Sequence, residues 1–211
     1  MDTNLHQLFN LRPKLKAFDS PIESELARVL LKYIAQDTSL ENQVHIATQN
    51  GDFRLDFLLS NGHKKVAFEA NGKDFHQYDL DLFRGSLILG FTEVHSIYYI
   101  RGKDIMYNLE SVLWAVAQRE SELFSPRGLT QLEVLNRSDN TVTSSEFITG
   151  YCTDSSIETV SPMGQIYDIK YLSKTMDNPI WKRLHQIALA NPGKKVQELI
   201  EISDREGHCW F

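Results

Sequence analysis

Two acidic residues stand where acids are scarce: Asp56 inside the apolar run FRLDFLL (53–59) and Glu69 near the end of KVAFEA (65–70). Aspartate is depleted from strand interiors, so a mid-strand Asp asks for a partner. An ion pair with Arg54 is one answer and a metal is the other. Strand alternation sends Phe53, Leu55, Phe57 and Leu59 to one face and Arg54, Asp56 and Leu58 to the other, while Glu69 shares a face with Lys65 and Ala67. If the two segments pair as a hairpin, both carboxylates leave the same sheet surface, and they repel unless protons or a cation lie between them. Magnesium suits such a pair, because it takes carboxylate oxygens, keeps several waters and favours sites completed by a phosphate. The expected ligands are Asp56, Glu69 and the main-chain carbonyl of Ala70, with Mn²⁺ able to substitute for Mg²⁺. An ion held there acidifies a water and neutralises charge growing on a phosphodiester, so the reaction class is metal-assisted phosphodiester hydrolysis.

Beyond Glu69 the chain runs into a polar loop that carries Asn71, Lys73, Asp74 and His76. Lys73 can bring an ammonium to the phosphate, and His76 titrates near neutrality and so can serve as a base. Against these roles stand an ordinary exposed lysine and a histidine that caps or packs at the loop. Arg84 reads either as a contact to the nucleic-acid backbone or as an ion pair with Asp81 three residues before it.

The elements that must position these residues are marked clearly. Ser20, Pro21 and Glu23 give an N-cap, a first-turn proline and a capping box, and Ile22, Leu26, Val29, Leu30, Tyr33 and Ile34 recur at helical spacing, predicting a helix over 21–35. Strands are expected at 44–48, 53–59 and 65–70, separated by QNGD and SNGH, whose Asn-Gly pairs signal hairpin turns. A helix over 79–89 closed by Gly90, a strand over 93–100 and a helix over 104–119 follow. Helix, three-stranded antiparallel meander, helix, strand, helix is an α/β unit with a mixed sheet.

This order, together with RLDF, EANGKDFH and DLFRGSLILGF, resembles the PD-(D/E)XK nuclease superfamily, and within it the very-short-patch-repair and restriction-endonuclease-like branch. The resemblance covers roughly residues 18–118 and implies a restriction-endonuclease-like core at 16–120 with Mg²⁺-dependent endodeoxyribonuclease activity on DNA, most simply duplex. By the same resemblance Asp56 matches the metal-bridging Asp, Glu69 the second acid and Glu23 the acid of the first helix. His76 matches the histidine after the glycine turn, and Arg84 the arginine of the next helix. Asn71 stands where the widespread motif has its lysine, which leaves Lys73 to supply that charge and groups Asn71 with Arg84 as a nucleic-acid contact. A nuclease-fold module without turnover, binding DNA or a protein in a defence, repair or recombination complex, is the alternative.

The remainder of the chain bounds this reading. In 211 residues, 42% are hydrophobic and 24% charged, with no apolar run long enough for a membrane span and no leader-like stretch at the start, so a cytoplasmic protein is expected. A net charge of −6 argues against binding of nucleic acid by bulk electrostatics alone, although a basic groove can still track phosphates beside a local acidic cluster. Cys152 and Cys209 have no zinc-like spacing. After SPRG (125–128) the pattern changes to β-leaning pieces, LEVLN, FITGYCT and QIYDIKYL, and then to helix starts at Asn178-Pro179 and Asn191-Pro192. Residues 128–211 are therefore expected to form a smaller α+β C-terminal subdomain serving substrate choice, a homodimer or a partner protein. The segment 182–203 reads as two core helices, or as a helix-turn-helix, and His45 and His95 read as packing residues within strands.

Overall fold

The computed structural model describes residues 15–72, 78–136, 142–149, 152–160, 166–175 and 179–205. Helix α1 (Pro21–Tyr33) starts as the capping box requires: Ser20 Oγ accepts the Glu23 N–H at 3.3 Å, and the Glu23 carboxylate accepts from Ser20 Oγ at 3.0 Å. It ends two residues short of the expected 35, because Ile34 turns extended to bridge Phe124 and the Ala35 N–H donates to the Leu123 carbonyl.

Strands β1 (Ser39–Thr48), β2 (Gly51–Ser60) and β3 (Lys65–Asn71) form the expected meander. Both turns use their glycines at positive φ, 139° at Gly51 and 83° at Gly62, where a Cβ would be strained. In the second turn Asn61 Oδ1 accepts from the His63 and Lys64 N–H groups, the side-chain turn that makes Asn-Gly such a strong signal. β1 begins five residues before the expected 44. The polar stretch SLENQ is carried into the sheet by its pairing with β2, Ser39 opposite Ser60 and Leu40 opposite Leu59, with Leu40 buried.

Helix α2 (Tyr78–Phe91) crosses over to β4 (Val94–Arg101), which lies parallel to β3, and α3 (Gly102–Ala117) returns along the sheet. A 3₁₀ turn (Ser121–Leu123) leads to α4 (Pro126–Leu135). The expectation of a β-leaning LEVLN is corrected there: Ser125 Oγ caps the Gly128 N–H at 2.9 Å and Pro126 occupies the first turn, so local capping overrides the strand propensity of Val134 and its neighbours.

The 128–211 segment then contributes β5 (Val142–Thr149), β6 (Cys152–Val160) and β7 (Ile166–Ser173), and β7 pairs antiparallel with β4. One seven-stranded mixed sheet results, in the order β1-β2-β3-β4-β7-β6-β5. Helices α5 (Pro179–Ala190) and α6 (Val196–Arg205) complete the chain. Asn191-Pro192 does not start α6 as expected. Asn191 Nδ2 instead caps the end of α5 on the Ile187 carbonyl, and Glu198 caps the Lys195 N–H.

The sheet has a helical layer on each face. Leu26, Leu30 and Tyr33 of α1 and Val112 and Val116 of α3 pack with Phe57, Phe68 and Tyr98. On the other face Phe83 and Leu87 of α2 lie between Leu55, Ala67 and Ile97 of the sheet and Leu184, Ala188 and Leu199 of α5 and α6. Being covered on both sides is why α2 carries so little polar surface. The α5–α6 pair is thereby a core element, as the simpler reading of 182–203 has it. No helix among the described residues is long and apolar enough to cross a membrane.

Gly90 marks the tightest helix contact, since a Cβ there would run into the His185 ring, which itself meets Phe91 edge-on at 4.5 Å between centroids. Gly90→Ala is expected to cost about 1–3 kcal/mol in urea denaturation, the scale of overpacking. Adding His185→Ala should recover part of that loss, so the double variant will be less destabilised than the sum of the singles.

Candidate active site

β2 pairs with β3 as far as Phe57 opposite Phe68, which leaves Asp56 and Glu69 as the next residue on each strand. The two acids come within electrostatic reach of each other, but the expected alternation does not hold through Asp56: Leu55 packs with Leu58 on one face of the sheet, and Phe57 with Leu59 on the other. Asp56 Oδ2 accepts the Ala70 N–H at 2.8 Å, and Glu69 is only 5% exposed. Arg54, the rival partner for Asp56, turns away to Asp19 at 2.7 Å.

Arg84 reaches over from α2 and answers to Glu69 rather than to Asp81. Its Nη2 lies 3.2 Å from Glu69 Oε1 and its Nη1 3.5 Å from Oε2, while Nη2 also donates to the Arg54 carbonyl. Tyr99, paired with Glu69 in the parallel register, donates its hydroxyl to the Asp81 carbonyl at 3.2 Å and ties the first turn of α2 to β4. Behind Asp56 the carboxylate of Glu23 accepts from Ser20 Oγ, from the Asp19 N–H at 3.3 Å and from Gln43 Nε2 at 2.9 Å. Gln43 holds φ of 52°, a left-handed conformation that costs a non-glycine residue roughly 1–2 kcal/mol.

The electrostatics follow from the burial. Loss of solvent pushes Glu69 from 4.5 up to about 8; Arg84 opposes the shift, and Asp56 and Asp81 reinforce it. Burial also raises Asp56, with the Ala70 N–H pulling the other way, Glu23 adding to the rise, and Arg84 and Arg54 moderating it. Asp81 is raised by burial against the field of Arg84, and Tyr99 is raised by burial and by the charge of Glu69. Four acids therefore share one end of the sheet with Arg84 among them.

Among the described residues no group of three or more His, Cys, Asp or Glu side chains is arranged to hold a metal. Magnesium does not demand one, because it binds through one or two carboxylates, waters and substrate phosphate oxygens. The donors fit it chemically: Asp56 and Glu69 offer hard oxygens from adjacent strands, with the Glu69 carboxylate held by Arg84. Ala70 has its N–H committed to Asp56, and Asn71 ends β3 opposite Arg101. Lys73 and His76 lie outside the described residues.

Gln43 and Tyr99 were not singled out from the sequence. The polar interruption ENQ within an otherwise strand-like stretch was the available signal for Gln43, whereas Tyr99 sits in an apolar run and gave none. Comparison with known proteins finds no family model, no curated protein and no solved structure that matches this chain.

An acid with a higher pKa folded than unfolded binds more protons in the native state, so its stabilising protonation is present at low pH and lost as pH rises. For Glu69 that loss runs between about 4.5 and about 8. Glu69→Gln, which copies the protonated form, should gain stability relative to wild type progressively across that window, as read by urea denaturation at stepped pH. A difference that stays flat would mean that Glu69 is ionised throughout.

Proposed function

We propose that this chain is a metal-dependent endonuclease that hydrolyses DNA phosphodiester bonds, with a restriction-endonuclease-like core of the PD-(D/E)XK type over 16–120. The observation that carries this reading is the proximity of two acids at one end of the sheet, with Asp56 bonded to the N–H of Ala70 beside Glu69 and both carboxyls more basic than ordinary carboxylates. The order of α1, the β1–β3 meander, α2, the parallel strand β4 and α3 supports it.

Asp56 and Glu69 would hold Mg²⁺, with the Ala70 carbonyl as the expected third ligand. When bound, the ion supplies an acidified water and charge neutralisation at the phosphate. Asp56 keeps one oxygen on the Ala70 N–H, which fixes the direction of its other oxygen. Arg84 orients the Glu69 carboxylate, and it is also the nearest guanidinium available to a phosphate entering the site. Glu23, locked by Gln43 and its own capping box, adds negative charge behind Asp56 and so strengthens the attraction for a cation. Lys73 and His76 are proposed to move protons at the scissile phosphate, and Asn71 to contact the nucleic acid. A cytoplasmic site of action and a homodimer or partner contact through 128–211 belong to the same proposal.

The second reading, a nuclease-fold module that binds without cutting, draws on the guanidinium already paired with Glu69 and on Asn71 at the usual lysine position. Cleavage of supercoiled and single-stranded DNA with Mg²⁺ or Mn²⁺ separates the two. Wild type is expected to cut and Asp56→Ala to be reduced by at least a hundredfold, a scale typical of lost electrostatic stabilisation at a reacting centre. Equal products from both proteins would overturn the nuclease reading. Because a cation and a proton compete for Glu69, the rate should rise with pH toward about 8, and more Mg²⁺ should move that rise to lower pH. Rate profiles at two Mg²⁺ concentrations check the direction.

A further inference from the structure

The opposite end of the same strands holds a polar cavity of about 360 Å³, lined by Gly62, His63, Lys65, Thr92, Glu93, His95 and Lys174. Its size falls within the range of small-ligand pockets. Lys65 and Glu69 are four residues apart on β3, so the cavity lies roughly 13 Å along the strand from the acid cluster, at about 3.3 Å per residue. The β2–β3 turn, the end of α2, the start of β4 and the end of β7 each contribute to it.

The charges here are of the opposite kind. Lys174 has its backbone N–H on the His95 carbonyl at 2.9 Å and its ammonium on the Thr92 carbonyl at 2.6 Å. That uses one of the three ammonium donors, and among the described residues no carboxylate lies within ion-pair distance of it. Burial holds Lys174 below the ordinary lysine range, with Glu93 only partly offsetting the effect, and the Thr92 carbonyl replaces only part of the solvation of this ammonium. His95 accepts the Lys65 N–H on Nδ1 at 3.1 Å, which places its own proton on Nε2 as a donor. His63 stands on the rim beside it. Lys65 is held by Glu93 at 2.6 Å, but both side chains are substantially exposed, so this pair is weak and easily exchanged. His63, His95 and Glu93 are not arranged to share a metal. His95, expected from the sequence to be a packing residue, instead lines this cavity.

We propose that this cavity binds a phosphate group, with the Lys174 ammonium as its principal contact, His95 Nε2–H and Lys65 as further donors, and Glu93 as an internal competitor that holds Lys65 while the site is empty. Inorganic phosphate and the terminal phosphate of a nucleotide or oligonucleotide present the same oxyanion. The proposal is independent of the nuclease reading, because none of its residues belongs to the acid cluster and it requires no divalent ion.

The test is calorimetric titration of sodium phosphate into the full-length protein at low ionic strength without divalent metal, with the His95 imidazole resonances followed in parallel. Saturable binding of one phosphate per chain is expected. Lys174→Gln should weaken it roughly tenfold or more, the scale of one lost charge-assisted hydrogen bond. Glu93→Gln should strengthen it, because Lys65 is released to the anion; a residue with only a structural role would not produce that gain. Asp56→Ala should leave it unchanged. A second arm compares inorganic phosphate with a 5′-phosphorylated dinucleotide and its unphosphorylated form. Tighter binding of the phosphorylated dinucleotide assigns the site to nucleic-acid ends, and equal binding assigns it to free phosphate. The proposal is overturned if no saturable binding occurs at high-millimolar phosphate, if Glu93→Gln does not tighten it, or if Asp56→Ala abolishes it.

Discussion

A carboxylate taken out of water must be neutralised or protonated, and Glu69 at the end of β3 imposes that requirement on everything around it. Arg84 supplies the nearest positive charge, and to deliver it α2 must lie close enough for its guanidinium to reach both Glu69 oxygens and the Arg54 carbonyl of β2. Gly85 permits that approach, since a Cβ there would press on the Tyr99 hydroxyl and Leu172. Asp56 and Asp81 meanwhile add to the rise that burial imposes on Glu69, against the pull of Arg84. The packing of helix on sheet and the chemistry of the site are therefore one problem with one partial solution. On the metal-dependent proposal, a cation at Asp56 and Glu69 would complete that neutralisation.

The two ends of β3 differ in how their charges are met: at its end Asp56 and Glu69 share Arg84, while at its beginning Lys64 pairs with Glu120 and Glu122, and Lys65 with Glu93. Glu23 shows how firmly the acidic end is held, because its carboxylate serves the start of α1, the backbone of Asp19 and the side chain of Gln43 together. The left-handed backbone at Gln43 is retained at some energetic cost, and its amide is what that conformation delivers to Glu23.

What the sequence disclosed was local chemistry, and what it withheld was long-range pairing. The helix cap at Ser20 and the two Asn-Gly turns each depend on residues near one another in the chain, and each is found in the structure, whereas the side-chain alternation of β2 breaks at Asp56, where Leu55 and Phe57 face opposite layers. The helix over Pro126–Leu135 was hidden because Val134 between Leu132 and Leu135 reads as a short apolar run, while its start is fixed by the cap at Ser125 and the first-turn Pro126. Asn191-Pro192 misled because the same pair that can open a helix here closes one. Arg84 had an obvious neighbour in Asp81, yet its partner is fifteen residues away on another element. No local pattern announces that choice, nor that β7 will settle beside β4.

That last pairing orders events during synthesis. Strand β4, whose middle reads Ile97-Tyr98-Tyr99-Ile100, is hydrogen-bonded on one side by β3 as soon as the first hundred or so residues can associate. Its other side waits for Ile166–Ser173, more than sixty residues later. In the interval a flat, aromatic, unpaired strand edge faces outward, the surface that most readily recruits another chain. A nascent chain halted between α4 and β7 would therefore be more prone to self-association than the finished protein, and the late strands act as a seal on the centre of the sheet.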